Sequence, residues 1–125
     1  MTTDGSERRR YTRLSTAGGD YRVSFQFQDR LVATANLVNI SASGCGLEIQ
    51  MGDARDLDTG VVLDNLLLIH PDLPSVPLQA TVVRLLGKVP GKTSGYLLAG
   101  VEFTLVTPFI EALIDAHVEG NSCET

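Results

Sequence analysis

The chain contains no tryptophan, only two cysteines and few aromatic residues, which make up 6% of its 125 positions. Because large aromatic side chains are scarce, the core has to be built mainly from Val, Leu and Ile. Cys45 and Cys123 are too few for a disulfide framework, and their spacing is not that of a metal site. These absences exclude folds held together by disulfides or zinc and favour a reducing cytoplasm.

A long apolar run is also missing. No stretch approaches the roughly 18 apolar residues that a membrane-spanning helix needs. The first 20 residues are polar and charged, without the apolar segment of a signal peptide. We therefore expect a cytoplasmic protein with no membrane insertion. Its length suits one compact domain.

Positive charge is scarce overall, because 10 basic and 15 acidic residues give a formal net charge of −5. Such a chain is repelled by polyphosphate, so we expect no binding to DNA or RNA. Four of the ten basic residues nevertheless lie within six positions near the N-terminus, namely Arg8, Arg9, Arg10 and Arg13. A local cationic segment on an acidic body favours one small anion over a long polyanion.

The rest of the sequence predicts short strands followed by one helix. From Tyr21 to Gln28 apolar and polar residues alternate strictly, which indicates a strand with one buried face. Thr107 and Pro108 mark the start of an amphipathic helix, and Gly120 marks its end. Residues 51–60 are predicted to form a solvated loop. Further strands are predicted at 31–39, 47–50, 61–69, 78–86 and 96–105. This pattern favours a small antiparallel β-barrel with a C-terminal helix packed on it.

Two groups of residues are candidates for binding. The arginine segment precedes the first predicted strand, and guanidinium groups match phosphate oxygens and the O6/N7 edge of guanine. Residues 39–44, with the sequence NISASG, end the second predicted strand, where small polar residues and glycine allow a close approach to an anion. Taken singly, the first is more commonly a solvated charge run and the second an ordinary turn.

Together, the two groups resemble the PilZ domain family. The matching residues are an Arg-x-x-x-Arg pair, Arg9 and Arg13, followed by Asn-x-Ser-x-x-Gly over residues 39–44. Residues 78–84 and 99–103 also resemble later strands of that family, so that the similarity runs from about residue 7 to about residue 118. The resemblance implies a six-stranded antiparallel barrel with a C-terminal amphipathic helix.

The resemblance also implies a domain division. We expect tails at 1–6 and 120–125 on either side of a single domain over 7–119. The parts of that domain are an arginine-bearing ligand-binding segment, the barrel and the helix, at 7–19, 20–105 and 107–119.

By resemblance, the chain is a receptor for the bacterial second messenger cyclic di-GMP, with no further cofactor, no metal and no catalytic residue. The implied ligand-binding residues are Arg8, Arg9, Arg13, Asn39, Ser41 and Gly44. An arginine directly before the Arg-x-x-x-Arg pair is compatible with two intercalated ligand molecules, so one or two are expected. The family further implies an unknown protein effector and a role in motility, polysaccharide synthesis or biofilm formation. Homodimerisation stays open.

The implied roles differ from residue to residue. Arg9 and Arg13 would clamp phosphates and guanine edges from the N-terminal segment. Asn39 and Ser41 would hydrogen-bond a guanine or the adjacent phosphate, and Gly44 would permit the close turn. The hypothesis that follows is a ligand-induced ordering of the N-terminal segment over the barrel, which would signal to a partner.

Three other functions fit the sequence less well. An enzyme is disfavoured, because Asp53, Asp56 and Asp58 have no nearby histidine in sequence and His70 and His117 lack ligand-like spacing. A small nucleic-acid-binding barrel would need basic strands and exposed aromatic residues. The main alternative is a PilZ-like protein-interaction module that does not bind nucleotide, but such modules lack the two motifs that this chain retains.

Overall fold

The computed structural model describes residues 13–16, 19–87 and 94–122. Over these residues the chain forms strands, a 3-10 turn at Met51–Ala54 and the C-terminal helix α1 (Pro108–Ser122). The strands in chain order are β1 (Leu14–Ser15), β2 (Arg22–Phe27), β3 (Arg30–Ser41), β4 (Gly44–Gln50), β5 (Val62–Ile69), β6 (Leu78–Leu86) and β7 (Tyr96–Phe103).

Six of these strands close an antiparallel barrel. The order is β2-β3-β4-β7-β6-β5, and β5 pairs back onto β2. The predicted six-stranded barrel with a C-terminal helix is therefore confirmed. The short strand β1 lies outside the barrel and pairs with β3, with Leu14 opposite Ile40 and Ser15 opposite Asn39. At two residues it is too short to show a period in the sequence.

The core is aliphatic, as the scarcity of aromatic residues predicts. In β2, Val23, Phe25 and Phe27 are buried, in agreement with the alternation of this segment, and Tyr21 just before it is half-buried. Aliphatic residues such as Leu37 and others from every barrel strand complete the interior. Each such side chain contributes roughly 1.5–3 kcal/mol on burial.

Two segments differ from the sequence-based expectation. The predicted solvated loop at 51–60 begins with the 3-10 turn, and Met51, Ala54 and Leu57 are buried in the core cluster. These apolar residues sit among aspartates, which conceal their spacing. The helix also continues through Gly120 to Ser122, because Gly120 is not among the glycines in the left-handed conformation that ends helices.

The helix α1 packs on the barrel through Ile114 and Val118, which are fully buried. Thr107 caps its first turn, since the Thr107 hydroxyl accepts a hydrogen bond of 3.3 Å from the Ile110 amide. His117 is buried and its Nε2 lies 2.8 Å from the Tyr21 hydroxyl, so this histidine packs between the helix and the barrel. No helix within the described ranges is long and apolar enough to cross a membrane.

Candidate ligand-binding site

The structure brings the two sequence motifs together at Arg13 and Asn39. The Arg13 Nη1 atom donates a hydrogen bond of 2.7 Å to Oδ1 of Asn39, across 26 positions of sequence. The pairing of β1 with β3 explains this contact, because Ser15 lies opposite Asn39 and Arg13 directly precedes β1. Arg13 is exposed and Asn39 is half-buried, so both side chains reach the outer face of the barrel.

The buried residue Thr16 fastens this N-terminal strand to β3. Its amide donates to the Val38 carbonyl at 2.9 Å, and its hydroxyl donates to the Leu37 carbonyl at 2.6 Å. These bonds hold the chain just after Arg13 and so restrict where the guanidinium can lie. Thr16 was not singled out from the sequence, where a lone threonine carries no signal of this kind.

Asn39 faces outward because of a β-bulge. In the β3–β4 pair, Leu37 lies opposite Leu47, whereas Asn39 lies opposite Gly46, so Val38 is an extra residue. Strict alternation after the buried Leu37 would turn Asn39 into the core. The bulge reverses that phase and places the amide on the outer surface.

The absence of a side chain at Gly46 leaves room for the amide of Asn39. A Cβ atom built on Gly46 would lie 2.7 Å from Nδ2 of Asn39, closer than a Cβ atom comes to its neighbours in proteins, so the Asn39 side chain would have to move. The flat backbone of Gly46 therefore gives the Asn39 amide room to lie across β4. An isolated glycine in a strand pattern is a general sign of such close approach.

Ser41 and Gly44 occupy the β3–β4 turn. The Ser41 hydroxyl is buried. It accepts a hydrogen bond of 3.3 Å from the Ser43 amide and donates one of 3.4 Å to the Gly44 carbonyl. Gly44 lies within β4, where a Cβ atom would overlap the Val101 carbonyl oxygen. Both residues thus have a local structural role, and their predicted contact with a ligand stays a prediction.

A surface groove of about 330 Å³ lies beside the Arg13–Asn39 pair. Ser41 and Gly44 do not line it, whereas Arg84 from β6 and Gly100 from β7 do. Sequence reasoning missed these two residues, because both lie in segments that read only as strands. The residues lining the groove are Arg13, Val38, Asn39, Cys45, Gly46, Leu47, Arg84, Leu86, Leu98, Ala99 and Gly100.

The groove offers two cationic side chains that can bind an anion. Arg13 and Arg84 supply positive charge on a chain whose net charge is −5. Burial raises the pKa of Cys45 to about 12, although the nearby Arg13 acts in the opposite direction. The thiol is therefore protonated at neutral pH and is not a nucleophile. Within the described residues, no cluster of histidine, cysteine and carboxylate side chains could hold a metal ion.

The predicted ligand residues Arg8 and Arg9 lie outside the described residues, as does Arg10. Of the six predicted ligand-binding residues, the structure therefore brings Arg13 and Asn39 into one groove and places Ser41 and Gly44 at the adjoining turn.

Comparison with known proteins gives one family and a consistent fold. A family model of the PilZ domain matches residues 7–120. The structure of the PilZ domain of YcgR from Escherichia coli with c-di-GMP superposes with a TM-score of 0.71, at 16% identity over 90% of each chain. No curated protein matches the sequence.

A second similar structure is the K. pneumonia MrkH–c-di-GMP complex, with a TM-score of 0.70 and 17% identity. It covers 88% of this chain but only 50% of MrkH. The apo state of MrkH gives a TM-score of 0.68 at 15% identity, over 86% of this chain and 48% of that one. The chain thus spans about half the length of MrkH and shares its fold over that part.

Proposed function

The chain belongs to the PilZ domain family, and we propose that it is a receptor for cyclic di-GMP that binds the dinucleotide in the groove beside Arg13 and Asn39. The observation that carries the proposal is the 2.7 Å hydrogen bond between these residues, which joins the two predicted binding motifs on one face. The structures of the YcgR PilZ domain and of MrkH with c-di-GMP, which share this fold, support the choice of ligand.

The chemistry of the pair suits this ligand. A guanidinium has five N–H donors in a planar fork, and the bond to Asn39 uses one of them, so the others can meet phosphate or the O6/N7 edge of guanine. Asn39 keeps its amide Nδ2 as a donor beside Gly46. Because Thr16 fixes the strand that follows Arg13, the guanidinium is already placed before the ligand arrives.

We propose that Arg8 and Arg9 complete the site from the N-terminal side, and that one or two ligand molecules bind there. The fixing of this segment over the barrel would change the surface that a protein effector meets. Hydrogen exchange over residues 6–16 should slow when ligand binds. Equal exchange rates with and without ligand would contradict this mode of signalling.

A protein-interaction module without a ligand is the second candidate. Leu105 and Phe109 are each 70% exposed, and Leu113 is 40% exposed, so the segment before α1 and its first turns present apolar side chains to solvent. Such side chains favour contact with a protein partner. In a receptor the same surface would serve for output, and ligand binding separates the two candidates.

Isothermal titration of cyclic di-GMP into the chain tests the proposed function. We expect micromolar or tighter binding, lost in Arg13→Ala and Asn39→Ala and kept in Arg22→Ala. Arg22 is an exposed cation on β2 that does not line the groove, so it controls for the loss of charge. Absence of heat, together with an unchanged melting temperature, would overturn the proposal in favour of the interaction module.

A further inference from the structure

The helix α1 carries apolar side chains on its outer face as well as on its inner face. Its inner row, Ile110, Ile114 and Val118, packs in or against the core cluster. Residues four positions apart are neighbours on a helix surface, so Phe109 and Leu113 form a second row. Both are exposed, at 70% and 40%. A surface helix normally places charged residues opposite its buried face, so this pattern indicates that α1 is covered on both sides.

The centre of the outer face is uncharged. It is occupied by Ala112, Ala116 and Gly120, which are all exposed and lie beside the Phe109–Leu113 row. Large apolar side chains grouped on an exposed surface are typical of contact with another macromolecule.

One edge of this face is acidic along the length of the helix. Glu111, Asp115 and Glu119 follow one another at the same spacing of four residues. No lysine or arginine lies between Pro108 and Ser122, and the last turn has no basic residue. The carbonyl groups at the end of a helix carry partial negative charge, which adds to that of Glu119. A partner on this face therefore meets a negative potential.

Asp115 provides a second indication of a missing cation. Its Oδ1 atom is buried and has no hydrogen-bond partner among the described residues. A buried carboxylate oxygen without a partner is unfavourable, and positive charge placed along the acidic row would lower that cost.

The charges decide between the occupants of this surface. A second copy of the chain would present the same acidic row, and its α1 has no lysine or arginine to place opposite it. An anionic membrane would be repelled by the row. A basic partner is attracted to it, and a partner helix fits best, since helices pack by fitting rows of spacing four into one another.

We propose that the outer face of α1 is the docking surface for a basic amphipathic helix of a partner protein. The apolar residues of that helix would cover Phe109 and Leu113, and its lysine or arginine side chains would lie along Glu111, Asp115 and Glu119. None of these residues lines the groove beside Arg13. The assignment of this surface therefore does not depend on whether the groove binds cyclic di-GMP.

The test uses two synthetic peptides, each as long as α1 and each designed as a helix with leucine on one face. One carries lysine along the edge of that face, and the other carries glutamate at the same positions. Fluorescence anisotropy measures their binding to the chain at low salt and at about 0.15 M salt. We expect the lysine peptide to bind about tenfold more tightly than the glutamate peptide or better, with an affinity that falls as salt rises.

Variants of α1 test the two rows separately. Asp115→Lys combined with Glu119→Lys should exchange the preference, so that the glutamate peptide binds and the lysine peptide does not. Phe109→Ser should weaken binding of the lysine peptide by about tenfold without unfolding the chain, because Phe109 is exposed. The matched controls are Asp29→Lys and Leu31→Ser, which alter exposed residues at the opposite end of β3 from those that pair with β1. Both should bind like the unmodified chain.

Three results would overturn the assignment of this surface: equal binding of the two peptides, no binding of the lysine peptide, or unchanged preference in the charge-reversed variant. Sedimentation of the chain alone adds a fourth, because self-association that Phe109→Ser abolishes would assign the surface to a second copy. Titration of cyclic di-GMP into the same samples reports on the proposed function separately, so that failure of either proposal is seen by itself.

Discussion

The guanidinium of Arg13 and the side-chain amide of Asn39 are joined by a hydrogen bond of 2.7 Å, although one residue precedes the barrel and the other lies in its second strand. The bond depends on two local features. Strand β1 brings Arg13 alongside β3, and the bulge at Val38 turns Asn39 outward to meet it. Contacts within the chain thus hold both residues at one edge of the groove.

The first prediction concerns coupling between these two residues. Arg13→Ala and Asn39→Ala should each abolish or strongly reduce cyclic di-GMP binding, and the double variant should be little worse than either single one. The reason is that residues in one hydrogen-bonded unit are not additive. Titration of the three variants gives the coupling energy, and fully additive losses would show that the two residues act separately.

Thr16→Val should weaken ligand binding although Thr16 does not line the groove. The substitution removes the hydroxyl that donates 2.6 Å to the Leu37 carbonyl, and the buried carbonyl then loses its partner at a cost of about 1–3 kcal/mol. Strand β1 should loosen and Arg13 with it. Thr16→Ser keeps the hydroxyl and is the matched control; equal affinities for the two variants would show that β1 does not position Arg13.

Gly46→Ala should abolish binding with only a moderate loss of stability. A methyl group 2.7 Å from the Asn39 amide must push that side chain aside, which removes it from the groove. Gly120→Ala is the control, because no atom lies within 4 Å of a Cβ at this helical position. It should bind normally and gain about 0.5–1 kcal/mol of stability. Normal ligand affinity in Gly46→Ala would contradict the assigned position of Asn39.

Much of the fold follows from local patterns. The alternation of Val23, Phe25 and Phe27 predicts β2 correctly, and the Thr107-Pro108 start of α1 is confirmed by the Thr107 cap. These signals are contained in a few consecutive residues. The family resemblance then supplied the number of strands, which local patterns alone leave open.

The binding site could be predicted only in part, because its geometry depends on strand register. Whether Asn39 and Arg84 face the core or the solvent is decided by one extra residue in each strand, and that residue is visible only in the pairing with β4 and β7. Gly100 likewise gives no signal by itself. It lines the groove because β7 pairs with β4 at Gly46 and with β6 at Arg84, and both of these residues are distant in sequence.

The stability of the fold should depend on pH through His117, which joins α1 to the barrel by its contact with Tyr21. Burial lowers the pKa of His117, with a further decrease from nearby His70 and a smaller opposing effect of Asp72. The unfolded chain therefore protonates His117 more readily than the folded chain does. The stability that depends on a neutral His117 is fully present above the ordinary histidine pKa and is lost as the pH falls below it. The rings of His70 and His117 are 5.4 Å apart, which is close enough for the effect of His70 on the pKa of His117.

Urea unfolding at about pH 7.5 and about pH 5.5 measures this effect. The unmodified chain should be less stable at the lower pH, and His117→Gln should lose less stability between the two values. Asn121→Ala serves as a control, since it alters a neighbour of His117 without removing the titrating ring. An identical pH dependence in His117→Gln would show that other groups determine it.

The position of the ligand is tested most directly by NMR, with cyclic di-GMP titrated into the labelled chain. We expect the largest shifts at residues that line the groove, namely the Asn39 side-chain amide, the Gly46 and Gly100 backbone amides and the Arg84 guanidinium. Small shifts are expected near Tyr21 and His70, whose rings stack on each other and do not line the groove. Shifts confined to these residues, with Asn39 and Gly100 unchanged, would contradict the assignment of the groove as the ligand site.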